Sequence, residues 1–216
     1  MRLFSAFIAV VFALAVGFSS VQSRAIPRDW HEVKKVGLEQ NLETCKAVYE
    51  LSGKIYCSSK ILSSKELPAN ARNYQRWNLP IDNTSWKLGR IMINAPKNDT
   101  AIIEYVKSNE SVSNWSEEHA SQVYTHALSP FYFAYNFCQV LLHQDARNTC
   151  DITNMNQSQN NITLVYRAPM VNEASAMRVF GDSDNLYVLQ HNSHLNPGKS
   201  TLLQWGRDLN KATLSQ

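Results

Sequence analysis

The sequence predicts an α+β fold, an antiparallel sheet flanked by helices with a helix-bearing N-terminal extension, and three observations predict it. Segments rich in β-branched and aromatic residues come in pairs separated by turn chemistry. Stretches with helical periodicity sit between those pairs in blocks, which argues against a strand-by-strand βαβ alternation and its parallel sheet. The composition is that of an ordinary globular domain: 216 residues, 44% hydrophobic and 18% charged, with seven Gly and seven Pro. Disordered tails and fibrous repeats are excluded on those numbers.

The chain divides into three parts. Met1-Arg2 gives a positive start, Leu3 to Phe18 carries no charge, and Ser19 to Ser23 offers small residues with Val21 at −3 and Ser23 at −1. A membrane-spanning helix wants roughly 20 apolar residues, and this core is shorter. Residues 1–23 read as a secretory signal peptide, with cleavage after Ala25 as the close alternative. No Cys lies near the cleavage point, so a lipid-anchored form is not expected, and no stable membrane anchor should remain. Residues 24–84 form the extension and residues 85–216 the α+β domain.

Within the extension, Leu38, Leu42, Cys45 and Val48 follow a helical stripe that predicts a helix over 36–51, stopped at Ser52-Gly53. Lys54 to Ser58 suggests a short strand. Residues 63–84 are polar, contain Pro68 and Pro80 and lack a period, as expected of a long, loosely attached connection. In the domain, 85–94 and 100–106 form the best hairpin candidate, joined through Ala95-Pro96. Asn114 and Glu117 have capping-box spacing, which predicts a helix from 114 to about Ala127. Ser129-Pro130 starts a second helix with Phe133, Phe137 and Leu141 inward. Strands are predicted over 162–168, 175–180 and 185–190, the last two separated by the turn Gly181-Asp182-Ser183-Asp184. A closing helix starts at Asn196-Pro197, with Leu202, Trp205 and Leu209 on one face.

Four cysteines follow the signal: Cys45, Cys57, Cys138 and Cys150. An even count in an exported chain favours disulfides. Of the three possible connectivities, the 12-residue spacing within each sequence-adjacent pair favours Cys45–Cys57 and Cys138–Cys150. Each closure is worth on the order of 3 kcal/mol in the chain-entropy model. Paired C-x-x-C or Cys/His clusters suited to zinc are absent from the sequence. Sequons occur at Asn83, Asn98, Asn109, Asn114, Asn156 and Asn161 and would carry glycans only in a eukaryotic secretory route.

Signal removal takes only Arg2 among charged residues, leaving 20 of the 21 basic residues against 18 acidic ones. So small an excess gives no electrostatic reason to bind nucleic acid. Candidate chemistry is sparse. His191 and His194 have HxxH spacing, but at a strand end they read as solvated. His119 and His126 are two helical turns apart, too far to share one ion. Cys138 with His143 would be a nucleophile pair only if the thiol were not taken by Cys150. Asp182 and Asp184 suit a turn better than a calcium loop. The run Phe131, Tyr132, Phe133, Tyr135 and Phe137 is packing for the most part, with Tyr132 and Tyr135 available to line a groove. No catalytic residue, metal ligand or cofactor site is predicted.

From Thr100 onward the order of features resembles a group of uncharacterised, exported gammaproteobacterial proteins. The resemblance rests on IIEYVKSNESVSNWSEE (102–118), Cys138, Cys150, the strand at 162–168, MRVFGDSDNLYVLQH (177–191) and Trp205. It covers about 86–214 and implies a Mog1/PsbP-like arrangement whose members are mostly accessory or binding proteins. The expectation is an exported, periplasmic or secreted, non-catalytic binding or accessory module for a protein or small-molecule ligand. An exported hydrolase with a dispersed site and a secreted N-glycoprotein are the alternatives.

Overall fold

The computed structural model describes residues 30–33, 45–51, 54–62, 71, 77–81, 85–93, 100–111, 113–125, 129–182 and 184–214. The signal segment, most of the predicted 36–51 helix, Asn83, Asn98 and His126 lie outside them. Ten strands form one sheet: β1 (Trp30–Val33), β2 (Ala47–Leu51), β3 (Lys54–Ser58), β5 (Trp86–Ile93), β6 (Thr100–Lys107), β7 (Glu117–Thr125), β8 (Thr149–Met155), β9 (Asn161–Ala168), β10 (Glu173–Gly181) and β11 (Asn185–Ser193). Their spatial order is β1-β3-β2-β5-β6-β7-β11-β10-β9-β8. Every pairing in it is antiparallel except β2 with β5. Two further strands, β4 (Trp77–Asn78) and β12 (Thr213–Leu214), pair with each other.

The helix-flanked α+β expectation is therefore corrected to a sheet-dominated fold. Among the described residues only two α-helices stand, α1 (Pro130–Gln144) and α2 (Lys199–Leu209). The predicted 114–127 helix is β7, in the middle of the sheet. Its side chains are buried on both faces, including Glu118, His119, Ser121 and Gln122. A strand buried on both sides shows no polar alternation, so its residues imitate other patterns. The Asn114/Glu117 spacing is not a cap: Asn114 closes a turn onto Ser111, its N–H bonding the Ser111 carbonyl at 3.0 Å.

The helix predicted over 36–51 is corrected where the structure describes it. Residues 47–51 are strand, paired antiparallel with β3 and parallel with β5. Those pairings place β1–β3 in the same sheet as the later strands. Residues 77–81, predicted to be loosely attached, carry the buried Leu79, and Trp77 meets Phe180 edge-on at 4.6 Å between ring centroids. The 54–58 strand, the 85–94/100–106 hairpin, the helix at Pro130 and the pair around Gly181 are found where the sequence puts them. The last helix starts at Lys199, because Asn196 takes a left-handed φ of 49° and Gly198 supplies the cap position. Strands β1 and β8 were not predicted.

The faces follow from the register. On one face, Leu202 and Leu209 of α2 join Tyr49, Ile91, Ile103, Val165, Ala176 and Leu189 in the larger core. Gly206 brings α2 close to β9, since a Cβ there would stand 2.9 Å from the Thr163 methyl. On the other face, Ala134, Cys138 and Leu141 of α1 cover Ile162, Leu164, Met177 and Val188. A third, smaller cluster of Cys45, Val48, Ile55, Cys57 and Val106 closes the opposite end of the sheet.

Both favoured disulfides are present, Cys45–Cys57 with Cα atoms 5.4 Å apart and Cys138–Cys150 at 5.5 Å. No helix among the described residues is long and apolar enough to cross a membrane.

Candidate functional site

Three polar constellations stand out, and strand register builds each. The first is a histidine cluster under α2. His119 and His191 are directly opposite on β7 and β11, with ring centroids 4.1 Å apart. Trp205 stacks on His191 at 3.7 Å, and Trp86 meets His119 edge-on at 4.5 Å. Glu117 accepts from both Lys107 Nζ at 3.2 Å and His191 Nε2 at 3.4 Å. Burial, and then the neighbouring His191, holds His119 well below the ordinary histidine range; burial lowers His191 too, against the pull of Glu117. Both imidazoles are therefore neutral at pH 7, and this cluster packs the core. The expectation of a solvated His191 is corrected: it is buried. The HxxH pair is split, since His194 stacks on Trp115 instead.

The second constellation is a buried polar row on the opposite face. Arg90 Nε donates to Glu104 at 2.6 Å, Asn192 donates to Glu118 at 3.4 Å, and Ser175 donates to Asn192 at 2.7 Å. Tyr166 donates to Glu173 at 2.5 Å. Burial and the adjacent Glu104 push Glu118 well above the usual carboxylate range. Two neighbouring carboxylates in a dry place favour holding a proton on one of them, which is the direction of this shift. These groups satisfy one another across strands and knit the sheet.

The third is open. A cleft of about 620 Å³ lies at the sheet end where the 108–116 loop, residues 45–46 and 61, and the chain after β11 meet. Its loop wall is pinned. The Glu110 carboxylate accepts from Ser116 N at 2.9 Å and from Ser116 Oγ at 2.5 Å. His194 N donates to the Ser116 carbonyl at 2.8 Å, joining the loop to the end of β11. Trp115 and His194 line it as a stacked pair, 4.0 Å between centroids and 23° apart in plane. Ile61 and Leu195, 58% and 62% exposed, supply an apolar rim.

Lys87 reaches this cleft from β5. A register shift between Leu88 and Arg90 places Lys87 and Arg90 on one face of the strand. The Lys87 residue is only 6% exposed, and its ammonium makes no hydrogen bond or ion pair among the described residues. Burial, and then Lys46, lowers its pKa, while Glu110 pulls the other way. The stem of Lys87 is thus buried in the strand while the residue lines the open cleft, and side chains whose surroundings perturb their pKa in this way recur at functional sites.

The remaining sequence candidates are structural or surface features. Cys138 is in a disulfide, and His143 is exposed in the last turn of α1. Asp182 Oδ1 accepts from the Asp184 and Asn185 N–H groups at 2.9 and 2.8 Å, which makes a turn of the Asp182/Asp184 pair. Tyr132 and Tyr135 face outward on α1 and are not among the cleft's lining residues. Asn109 and Asn114 are exposed on the cleft rim and Asn156 on a β8–β9 turn, while Asn161 is half-buried. Sequence reasoning missed Lys87, Glu110 and Trp115. Its one available signal was a pair of cations, Lys87 and Arg90, inside a strand that is otherwise uncharged.

Compared with known proteins, the chain matches no family model, no curated protein and no solved structure.

Proposed function

We propose that this protein is an exported binding or accessory module, periplasmic or secreted, that takes a small ligand in the cleft beside Trp115. One observation carries the reading: a pocket-sized opening of about 620 Å³ that receives a nearly buried lysine. Small-molecule sites combine concave volume, apolar and aromatic lining and a few convergent polar groups. The cleft has each, in Ile61 and Leu195, the Trp115/His194 stack, and Lys87. The export half rests on the N-terminal segment, the two disulfides and the resemblance over 86–214.

A fragment screen by two-dimensional NMR on the disulfide-bonded protein tests the binding half. Hits should converge on signals from residues 108–116 and 194–195. Hits that gather elsewhere, or none at all, refute the cleft as the binding site. For the export half, fusing residues 1–25 to a periplasmic reporter enzyme in a bacterial host should yield cleaved, active reporter. Reporter retained uncleaved in the cytoplasm refutes it.

A further inference from the structure

Resting on that reading, we infer that the cleft's ligand is a small organic acid, its anionic head on Lys87 and its apolar body against the Trp115/His194 stack. The charge follows from the polar inventory. Lys87 and Lys46 bring two cations to the cleft, and the only acidic side chain among its described lining residues is Glu110. Glu110 offsets one of the two positive charges, and both its oxygens already accept from Ser116, which holds it to the loop and leaves the cleft with an excess of positive charge. Lys87 has no such commitment. An anion arriving there makes a charge-assisted hydrogen bond to the ammonium, the stronger kind of hydrogen bond.

The body of the ligand follows from the rest of the lining. Trp115 packs against the Cys45–Cys57 cluster, which fixes one side of the aromatic wall. Ile61 and Leu195 leave more than half their surface in water although both border the cleft. Exposed apolar groups around a concave opening gain by covering them with apolar surface. A bare inorganic anion would satisfy Lys87 and leave that rim wet, whereas an organic acid satisfies both.

Benzoate and hexanoate, with benzyl alcohol as the uncharged counterpart, test this by NMR titration of the disulfide-bonded protein. Both acids should move the Trp115 indole and the 108–116 amides saturably. A charge-assisted hydrogen bond is worth about 1.5–3 kcal/mol, so Lys87→Met should weaken benzoate roughly 10- to 100-fold. Should Lys87→Met not fold, Leu195→Glu places a repelling carboxylate on the exposed rim and should weaken benzoate several-fold more than it weakens benzyl alcohol. Benzoate binding that either folded variant leaves unchanged overturns the assignment. So does benzyl alcohol binding as tightly as benzoate, an outcome that keeps the cleft as a binding site for neutral molecules. If neither acid shifts these signals while screen fragments do, the acid assignment fails alone; if the fragments also miss the cleft, both readings fail.

Discussion

The two ends of the sheet carry the same staple, a disulfide across 12 residues, and use it differently. Cys45–Cys57 bridges the start of β2 to β3, strands already joined by an antiparallel ladder. Its sulfurs sit in a small apolar cluster behind the cleft, so it serves as part of a wall. Cys138–Cys150 joins α1 to β8, an edge strand exposed along most of its length and paired only with β9. There the disulfide fastens a helix that no backbone ladder holds. Equal loop lengths imply similar entropic effects on the unfolded chain. The native surroundings decide what else each bond does: at one end it backs an open cleft, at the other it pins a helix over core.

Packing should separate the ends most strongly. Leu141→Ala removes a 2% exposed side chain from beneath α1 and should cost about 2–5 kcal/mol in urea unfolding, without altering benzoate affinity at the cleft. A weaker acid affinity in that variant would mean the two ends are coupled.

The disulfides come next. Cys138→Ala/Cys150→Ala and Cys45→Ala/Cys57→Ala should each lower stability by roughly 3 kcal/mol. Only the second pair should move the cleft signals in NMR spectra. Equal disturbance of the cleft by both would break the comparison.

Acid sharpens it further. The unfolded chain's histidines titrate near pH 6.5, while burial holds folded His119 and His191 below that. The unfolded state therefore binds more protons as pH falls. The stability these groups contribute is full above about pH 6.5 and is lost progressively below it. Burial raises Glu118 and Glu173, which acts in the opposite sense as pH falls, so the difference between proteins is the readout: from pH 7 to pH 5 the thermal midpoint of His119→Leu should rise relative to that of the wild type.

The smallest effect belongs to the exposed Lys199–Asp151 pair, 3.1 Å long at the β8 edge. Lys199→Ala should change unfolding free energy by less than about 0.5 kcal/mol. A larger loss would show that the edge is held by charge as well as by the disulfide.

Much of the fold was legible where local chemistry agreed with tertiary context. Pro130 after a capping Ser129, the Asp182 turn and the β5–β6 hairpin each declare themselves within a few residues. β7 did not, because a central strand lined with Glu118, His119, Ser121 and Gln122 has neither apolar alternation nor a run of β-branched residues. The cleft was less legible still. Lys87, Trp115 and His194 come from three separate stretches and meet only because β5, β6, β7 and β11 lie side by side. The His119–His191 contact spans two strands in the same way, so neither HxxH spacing nor helical spacing could find it.

By itself the sequence determined what depends on near neighbours or on counting: an apolar, basic-tipped N-terminal segment, four cysteines whose spacing favoured one pairing, and the turns and caps that punctuate the chain. Tertiary structure alone decided that β1–β3 extend the main sheet, that residues 117–125 are its centre, and that Lys87 faces an open cleft. The physical reason is range. Turns and caps are set by bonds across a few residues, whereas strand pairing and burial join residues tens of positions apart, and only the assembled sheet brings Lys87 and Trp115 to one cleft.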